Sequence, residues 1–483
     1  MAPPDSATDA PPLLDAAQLK AQGHLLAAPF QLETPDGDRI EVKHLLRVLP
    51  GKRIVGEGCW QGHHVLIKIF VSHHRTKDFS AESCGIAALA QAGIPTPEIE
   101  GSAQIKGGGI ALFTRFLPSA ESLASRWKRL RPNSRDNDAE IIPLVEDSFR
   151  LLGRAHAHQL IHHDLHFGNF LVDQGNVLLI DGDAVVPVSG ATTQVFLENL
   201  AMLISQLSRD WDRHLEQWLL AYGAHSASNI DRKCLTAAVE KMRTKRLARY
   251  LSKTVRDCSE FSVHKTFARF ECFRRNVADQ LTSVRQELDA TIARSDTIYK
   301  DGGTCTVAKV IVAGTPLVIK RYNIKSIAHA LSRSYRPSRA WHSWKAANML
   351  RHLGIATPQP LALIENRFGP LRRQAYLMTE YCPGSNLLQH LNCNGEPKAA
   401  EAAAINRLFN RLFQEKITHG DLKANNLLWF ANELYVIDLD AMKRHTSSTQ
   451  FSRAWNRDRS RFLRNWPEAS VLHRWLDAAI PHA

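Results

Sequence analysis

The 483-residue sequence contains no run of about 18 apolar residues, so no segment of it is written as a membrane-spanning helix. Residues 1–27 also lack the basic-then-apolar order of a secretory leader. The eight cysteines, at 59, 84, 234, 258, 272, 305, 382 and 393, include no C-x-x-C pair. That scatter argues against a disulfide framework or a structural zinc site, and for a reduced, cytoplasmic setting. Heptad arrays, short repeats and low-complexity tracts are missing as well, which removes fibrous architectures from consideration.

What remains is ordinary globular composition, 44% hydrophobic and 23% charged, in a chain long enough that two domains are expected. The formal charge of +13 calls for an anionic partner: nucleic acid, acidic lipid headgroups or a phosphorylated substrate. Proline, alanine and aspartate crowd the N terminus, so residues 1–30 are expected to be a disordered tail.

One constellation occurs twice. His162-His163-Asp164-Leu165-His166-Phe167-Gly168-Asn169 is followed by Ile180-Asp181-Gly182-Asp183. Each anchor recurs 257 positions later, in His419-Gly420-Asp421-Leu422-Lys423-Ala424-Asn425-Asn426 and Ile437-Asp438-Leu439-Asp440. Upstream, Gly93-Ile94-Pro95-Thr96-Pro97 matches Gly354-Ile355-Ala356-Thr357-Pro358 at an offset of 261. Val- and Ile-rich runs at 37–71 and 297–322 read as strands. Three- and four-residue apolar spacing at 76–92 and 338–353 reads as helices ending at Gly93 and Gly354. A helical pattern over 192–287 gives the first copy a long tail. The expected organisation is therefore an α+β chain with the joint at 285–296, domains at 31–290 and 291–483, and a sheet lobe plus a helical lobe in each.

These residue types in this order suit phosphoryl transfer from ATP. That chemistry needs metal ions on the phosphates, a cation for the α and β groups, and a carboxylate facing the acceptor hydroxyl. Asp164 and Asp421 are the candidate acceptor-facing carboxylates. Asn169, Asp181, Asn426 and Asp438 are the candidate Mg²⁺ ligands. Lys68 and Lys320, each in a strand-like run, are the candidate phosphate cations, and Glu82 on the following helix is expected to pair with Lys68. Ser343 stands at the matching position of the second copy. Gly56, Gly58, Gly302 and Gly303 are candidates for a loop over the phosphates. Asp183 and Asp440 suit either a structural ion pair or a metal, while His163 and His166 have no partners at zinc-ligand spacing.

The H-x-D-L-x-x-x-x-N and I-D-x-D motifs resemble the kinase superfamily, and within it the lipopolysaccharide kinase family that phosphorylates Kdo or heptose. Arg336-Pro337-Ser338-Arg339-Ala340-Trp341 is similar to a segment of the same family. The resemblance covers roughly 37–185 and 297–445. It implies ATP and Mg²⁺ as cofactors, an acidic glycolipid as acceptor and action at the cytoplasmic membrane face. A protein acceptor is disfavoured, because only fifteen residues follow the faint anchor Trp466-Pro467-Glu468 in the second copy and the first has no such motif. The rival reading is a nucleotide-binding module without catalysis. Basic residues at Lys241, Arg243, Lys245, Arg246, Arg249, Lys253 and Arg256, and again at Arg453, Arg457, Arg459, Arg461 and Arg464, offer either solvated helix faces or contact with an anionic membrane. No nucleic-acid-binding motif accompanies them, so nucleic acid is not the expected partner.

Overall fold

Alternating burial along His63–Phe70, with Val65, Ile67 and Ile69 inside and Leu66 and Lys68 outside the core, makes this run a strand with one apolar face. A two-residue turn at Gln61 and Gly62, both at positive φ, folds it back on Arg53–Trp60. The computed structural model describes residues 11–130, 138–190, 192–225, 231–323, 337–369 and 371–483. The chain divides into two compact units, Met1–Thr244 and Lys245–Ala483.

In the first unit five antiparallel strands run Arg39–Leu49, Arg53–Trp60, His63–Phe70, Gly109–Arg115, Ile99–Ile105 across the sheet. The helix Arg75–Gln91 follows the Lys68 strand and stops where Gly93 turns to φ +66°, a conformation only glycine adopts cheaply. Phe30–Glu33 and Leu13–Leu14 extend the sheet at the Arg39–Leu49 edge. This corrects the expected tail at 1–30. Asp15 caps a helix at Ala16–Gln22 through a reciprocal capping box, and Ala16, Leu19, Leu26 and Phe30 are buried in the sheet core. Residues 1–10 lie outside the described residues. Below the sheet, Phe149, Leu200 and Trp218, on the helices Asp138–Ala157, Thr193–Ile204 and Leu215–Gly223, are fully buried in a separate core.

The second unit arranges Thr297–Gly302, Cys305–Val312, Thr315–Tyr322, Leu371–Glu380 and Pro360–Phe368 in the same five-strand order. Its two additional strands, Phe261–Lys265 and Arg269–Arg274, join at the opposite edge, with Cys272 opposite Leu363. Their hairpin corrects two expectations: 192–287 is not all helical, and the division falls at Thr244/Lys245 rather than at 290/291. Phe261, Phe270 and Cys272 are buried against the second sheet, which ties this segment to the unit that follows it. The helix Arg339–His352 is capped by Ser338, whose Oγ accepts from the Trp341 amide, and Trp344 on it is fully buried. The helices Ala399–Gln414, Ser448–Leu463 and Val471–Ala479 pack around Phe409, Trp455 and Phe462. Among the described residues no helix is long and apolar enough to cross a membrane.

Candidate active site

Eleven residues separate Asn169 from Asp181, and the structure spends most of them on a hairpin. Phe170–Asp173 pairs with Asn176–Leu179, Phe170 opposite Leu179, and the Ile180 amide closes on the Asn169 carbonyl at 2.9 Å. The two ligand candidates therefore emerge at one end of one hairpin. The second unit repeats this with Leu427 opposite Val436 and the Ile437 amide 2.9 Å from the Asn426 carbonyl. Asp181 and Asp438 both sit at left-handed φ, 74° and 59°, a strained backbone that concentrates at functional sites. Each asparagine holds its own loop: Asn169 Nδ2 donates to the Asp164 carbonyl at 3.0 Å, and Asn426 Nδ2 to the Asp421 carbonyl at 2.9 Å. Both histidines of the motif lie within hydrogen-bond distance of the carbonyl before the strained aspartate, His162 Nε2 at 3.1 Å from Ile180 and His419 Nε2 at 2.9 Å from Ile437. Burial holds His162 below its ordinary pKa, favouring a neutral ring.

In the first unit Lys68 Nζ contacts Glu82 Oε1 and lies 3.7 Å from Asp181 Oδ1. Arg53, which belongs to none of the sequence motifs, lies 3.3 Å from Glu82 and 3.0 Å from Asp183. Two cations thus face three carboxylates. Glu82, Asp181 and Asp183 present oxygens within 4.8 Å of one another, a hard-oxygen set that suits a divalent cation such as Mg²⁺. Burial, then the Asp181 and Glu82 charges, pushes the Asp183 carboxyl above its ordinary value despite Arg53 and Lys68.

The second unit solves the same problem with different residues. With serine at 343, Lys320 Nζ bonds Asp438 Oδ1 at 2.5 Å and Asp440 Oδ1 at 3.0 Å. Asp440 also accepts from Tyr322 OH at 2.6 Å and Ser343 Oγ at 2.8 Å. Where the lysine of the first unit meets a helix carboxylate, Glu82, that of the second meets carboxylates on the loop, Asp438 and Asp440. Burial alone would lower the Lys320 ammonium, but Asp440 and Asp438 outweigh it and hold the group above 10.5. Burial likewise opposes ionisation of Asp440, yet Lys320, Tyr322 and Ser343 hold it below 3.8. The Asp440 contribution to stability is present above pH 3.8 and is lost as pH falls through its depressed folded value. The Lys320 contribution is present below pH 10.5 and is lost as pH rises through its raised one. Asp440→Asn should therefore destabilise the chain by an amount that is constant across neutral pH and vanishes only in strong acid, read from urea midpoints of both proteins.

The surroundings of Asp164 and Asp421 differ too. Asp164 is largely exposed, with His166 Nε2 3.6 Å away. Asp421 is less exposed and is flanked by Lys423 at 3.0 Å and Arg461 at 3.8 Å, while Arg461 also donates to the Gly420 carbonyl at 2.6 Å. Buried Asp458 accepts from the His419 and Gly420 amides at 2.6 and 2.9 Å. Asn199 holds the first loop similarly, Oδ1 accepting from the His162 amide at 3.3 Å and Nδ2 donating to its carbonyl at 2.8 Å. These anchors lie 37 to 39 residues beyond their loops, a distance at which no local motif signals them.

The glycine candidates divide. Gly302 and Gly303 lie at the turn between the strands Thr297–Gly302 and Cys305–Val312, near the end where Tyr322 pairs with Cys305. Gly56 and Gly58 do not form a loop. They are mid-strand, opposite Ile67 and Val65, and a Cβ on Gly56 would come within 2.8 Å of the His44 carbonyl oxygen. They let the bulged Arg39–Leu49 strand approach. A different pair shapes the first site: a Cβ on Gly85 would strike the Gly182 carbonyl, and one on Gly182 would strike the Glu82 carbonyl. Gly85→Ala should push the Glu82 helix off the Asp181 turn, costing about 1–3 kcal/mol, measured from urea midpoints of both proteins.

Residues 293–473 match the lipopolysaccharide kinase (Kdo/WaaP) family. Among solved structures the chain is similar to WaaP in complex with acyl carrier protein, at 19% identity over 42% of this chain and 88% of that one, with a TM-score of 0.33. It is also similar to vaccinia related kinase 3, at 13% identity over 48% and 80% of the two chains, with a TM-score of 0.28. No curated protein matches the chain. Each unit has a sheet lobe and a helical lobe, with the lysine on the third strand of the five-strand order that the two units share.

Proposed function

We propose, starting from the family match of residues 293–473, that this chain is an ATP-dependent phosphotransferase acting on a sugar hydroxyl of the lipopolysaccharide inner core, a heptose or Kdo. Its two units are tandem copies of one domain, and the second is the catalytic one. The observation carrying this reading is the set in the second unit: Lys320 drawn onto Asp438, Asn426 at the same hairpin end, and Asp421 flanked by two cations. Mg²⁺-ATP supplies the transferable phosphoryl group. Asp438 and Asn426 hold the metal, Lys320 binds phosphate, and Asp440 positions Lys320. Asp421 orients the acceptor hydroxyl and takes its proton. Lys423 and Arg461, beside Asp421, offer positive charge to an acidic glycolipid.

The first unit reads better as a nucleotide-binding partner than as a second transferase. Its Lys68, Glu82 and Asp181 group supports binding, but among the described residues the one ion-pair partner of Asp164 is His166, and the family match covers residues 293–473. The test is transfer of the ATP γ-phosphate to purified dephosphorylated core glycolipid, with the product identified by mass spectrometry, for the native chain, Asp164→Ala and Asp421→Ala. No product from the native chain, or native turnover in both variants, ends this reading.

A further inference from the structure

The basic runs that the sequence offers for membrane contact are partly consumed inside the fold. Arg243 pairs with Asp212 at 2.6 Å, Arg459 with Asp477 at 2.7 Å, and Arg461 holds the Gly420 carbonyl. A different surface remains open. In the second unit the turn of the Phe261–Arg274 hairpin lies beside the end of Pro360–Phe368, stitched by the Arg367 amide to the Ala268 carbonyl at 2.7 Å and the Gly369 amide to the Phe267 carbonyl at 3.0 Å. Phe267 and Phe368 meet there edge to face, ring centroids 5.0 Å apart, yet they are 64% and 62% exposed. Gly369, at φ +57°, has no side chain to fill the space against the Phe267 ring, which a Cβ would approach to 3.0 Å.

Cations ring this aromatic tip. Arg367 and Arg372 lean on Glu365, and Arg269 on Glu271. Lys265 and Arg373 are exposed and carry no ion pair among the described residues. Strand register puts the tip at the end of the sheet that also holds the Gly302–Gly303 turn, since Cys305 pairs with Tyr322, Tyr322 with Ala375, and Arg372 with Arg367 beyond it.

We infer that this tip inserts into an anionic lipid surface, with Phe267 and Phe368 entering the headgroup boundary and Lys265 and Arg373 pairing with lipid phosphates. Two rings that bury roughly 150–250 Å² each fall well short of the 1,000 Å² or so that a specific protein interface needs, whereas aromatic insertion beside basic residues is sufficient for reversible bilayer contact. Docked this way, the sheet end bearing the phosphate-loop turn faces the membrane.

The test is co-sedimentation of the full chain with phosphatidylcholine vesicles with and without phosphatidylglycerol. The native chain should bind the anionic vesicles. Phe267→Ser/Phe368→Ser should lower its partition coefficient about tenfold or more with an unchanged urea midpoint. Lys265→Glu/Arg373→Glu should abolish the preference for phosphatidylglycerol. Native binding by the phenylalanine variant, or no vesicle binding by the native chain, overturns the proposal. The readout is lipid binding alone, so it stands or falls separately from phosphate transfer.

Discussion

Asp421→Ala should lower phosphate transfer to the core glycolipid by about 10² to 10⁴-fold, the usual contribution of a positioned general base. Its contacts are with Lys423 and Arg461, while the Lys320 anchor runs through Asp438 and Asp440. Loss of the Asp421 carboxylate should therefore leave nucleotide affinity close to native, and the defect should lie in turnover. Asp164→Ala should leave most of the transfer intact. If Asp164→Ala is the inactive variant and Asp421→Ala is not, the assignment of catalysis to the second unit is reversed. The comparison needs only ATP titration and product counting on three proteins.

Trp344→Ala should cost about 3–5 kcal/mol, the largest stability loss expected from a single side chain here. Trp344 has no exposed surface, packs with Phe261, Tyr322, Leu363 and Leu377, and donates Nε1–H to the Thr254 carbonyl at 3.0 Å. Truncation empties that space and removes the donor together. Tyr322 shares the cluster and also bonds Asp440, so the loss should extend to the Lys320 anchor and weaken nucleotide binding by the second unit. A shift in urea midpoint equivalent to under about 1 kcal/mol would mean that the cluster refills the space, and the structural account of this helix would fail.

The legible part of the fold was what repeats or alternates locally. Strands Arg53–Trp60, His63–Phe70, Cys305–Val312 and Thr315–Tyr322 show largely period-two burial, and the helices ending at Gly93 and Gly354 carry both their spacing and their stop. The expected pairing of Lys68 with Glu82 and the closeness of each Asn–Asp pair rest on short sequence separations that a strand, a turn and a helix convert directly into contacts. The hairpin 261–274 was not legible, because its strands are short and the strand that docks it on the sheet, Pro360–Phe368, lies about 90 residues away. The Gly56 and Gly58 expectation failed for a related reason: glycine reports that backbone must pass closely, but not whether phosphate or a neighbouring strand does the passing.

By itself the sequence determined the recurrence of the H-x-D and I-D-x-D motifs, the metal-ligand candidates and the absence of a glutamate at 343, since these depend on residue type and spacing along the chain. Only tertiary structure decided that Asp440 takes over the lysine, that Asn199 and Asp458 brace the two loops, that Arg53 joins the first carboxylate cluster, and that two phenylalanines stand exposed at one sheet end. Those outcomes depend on which distant groups share a low-dielectric space, and a charge finds its partner there by proximity in three dimensions rather than by position in the chain.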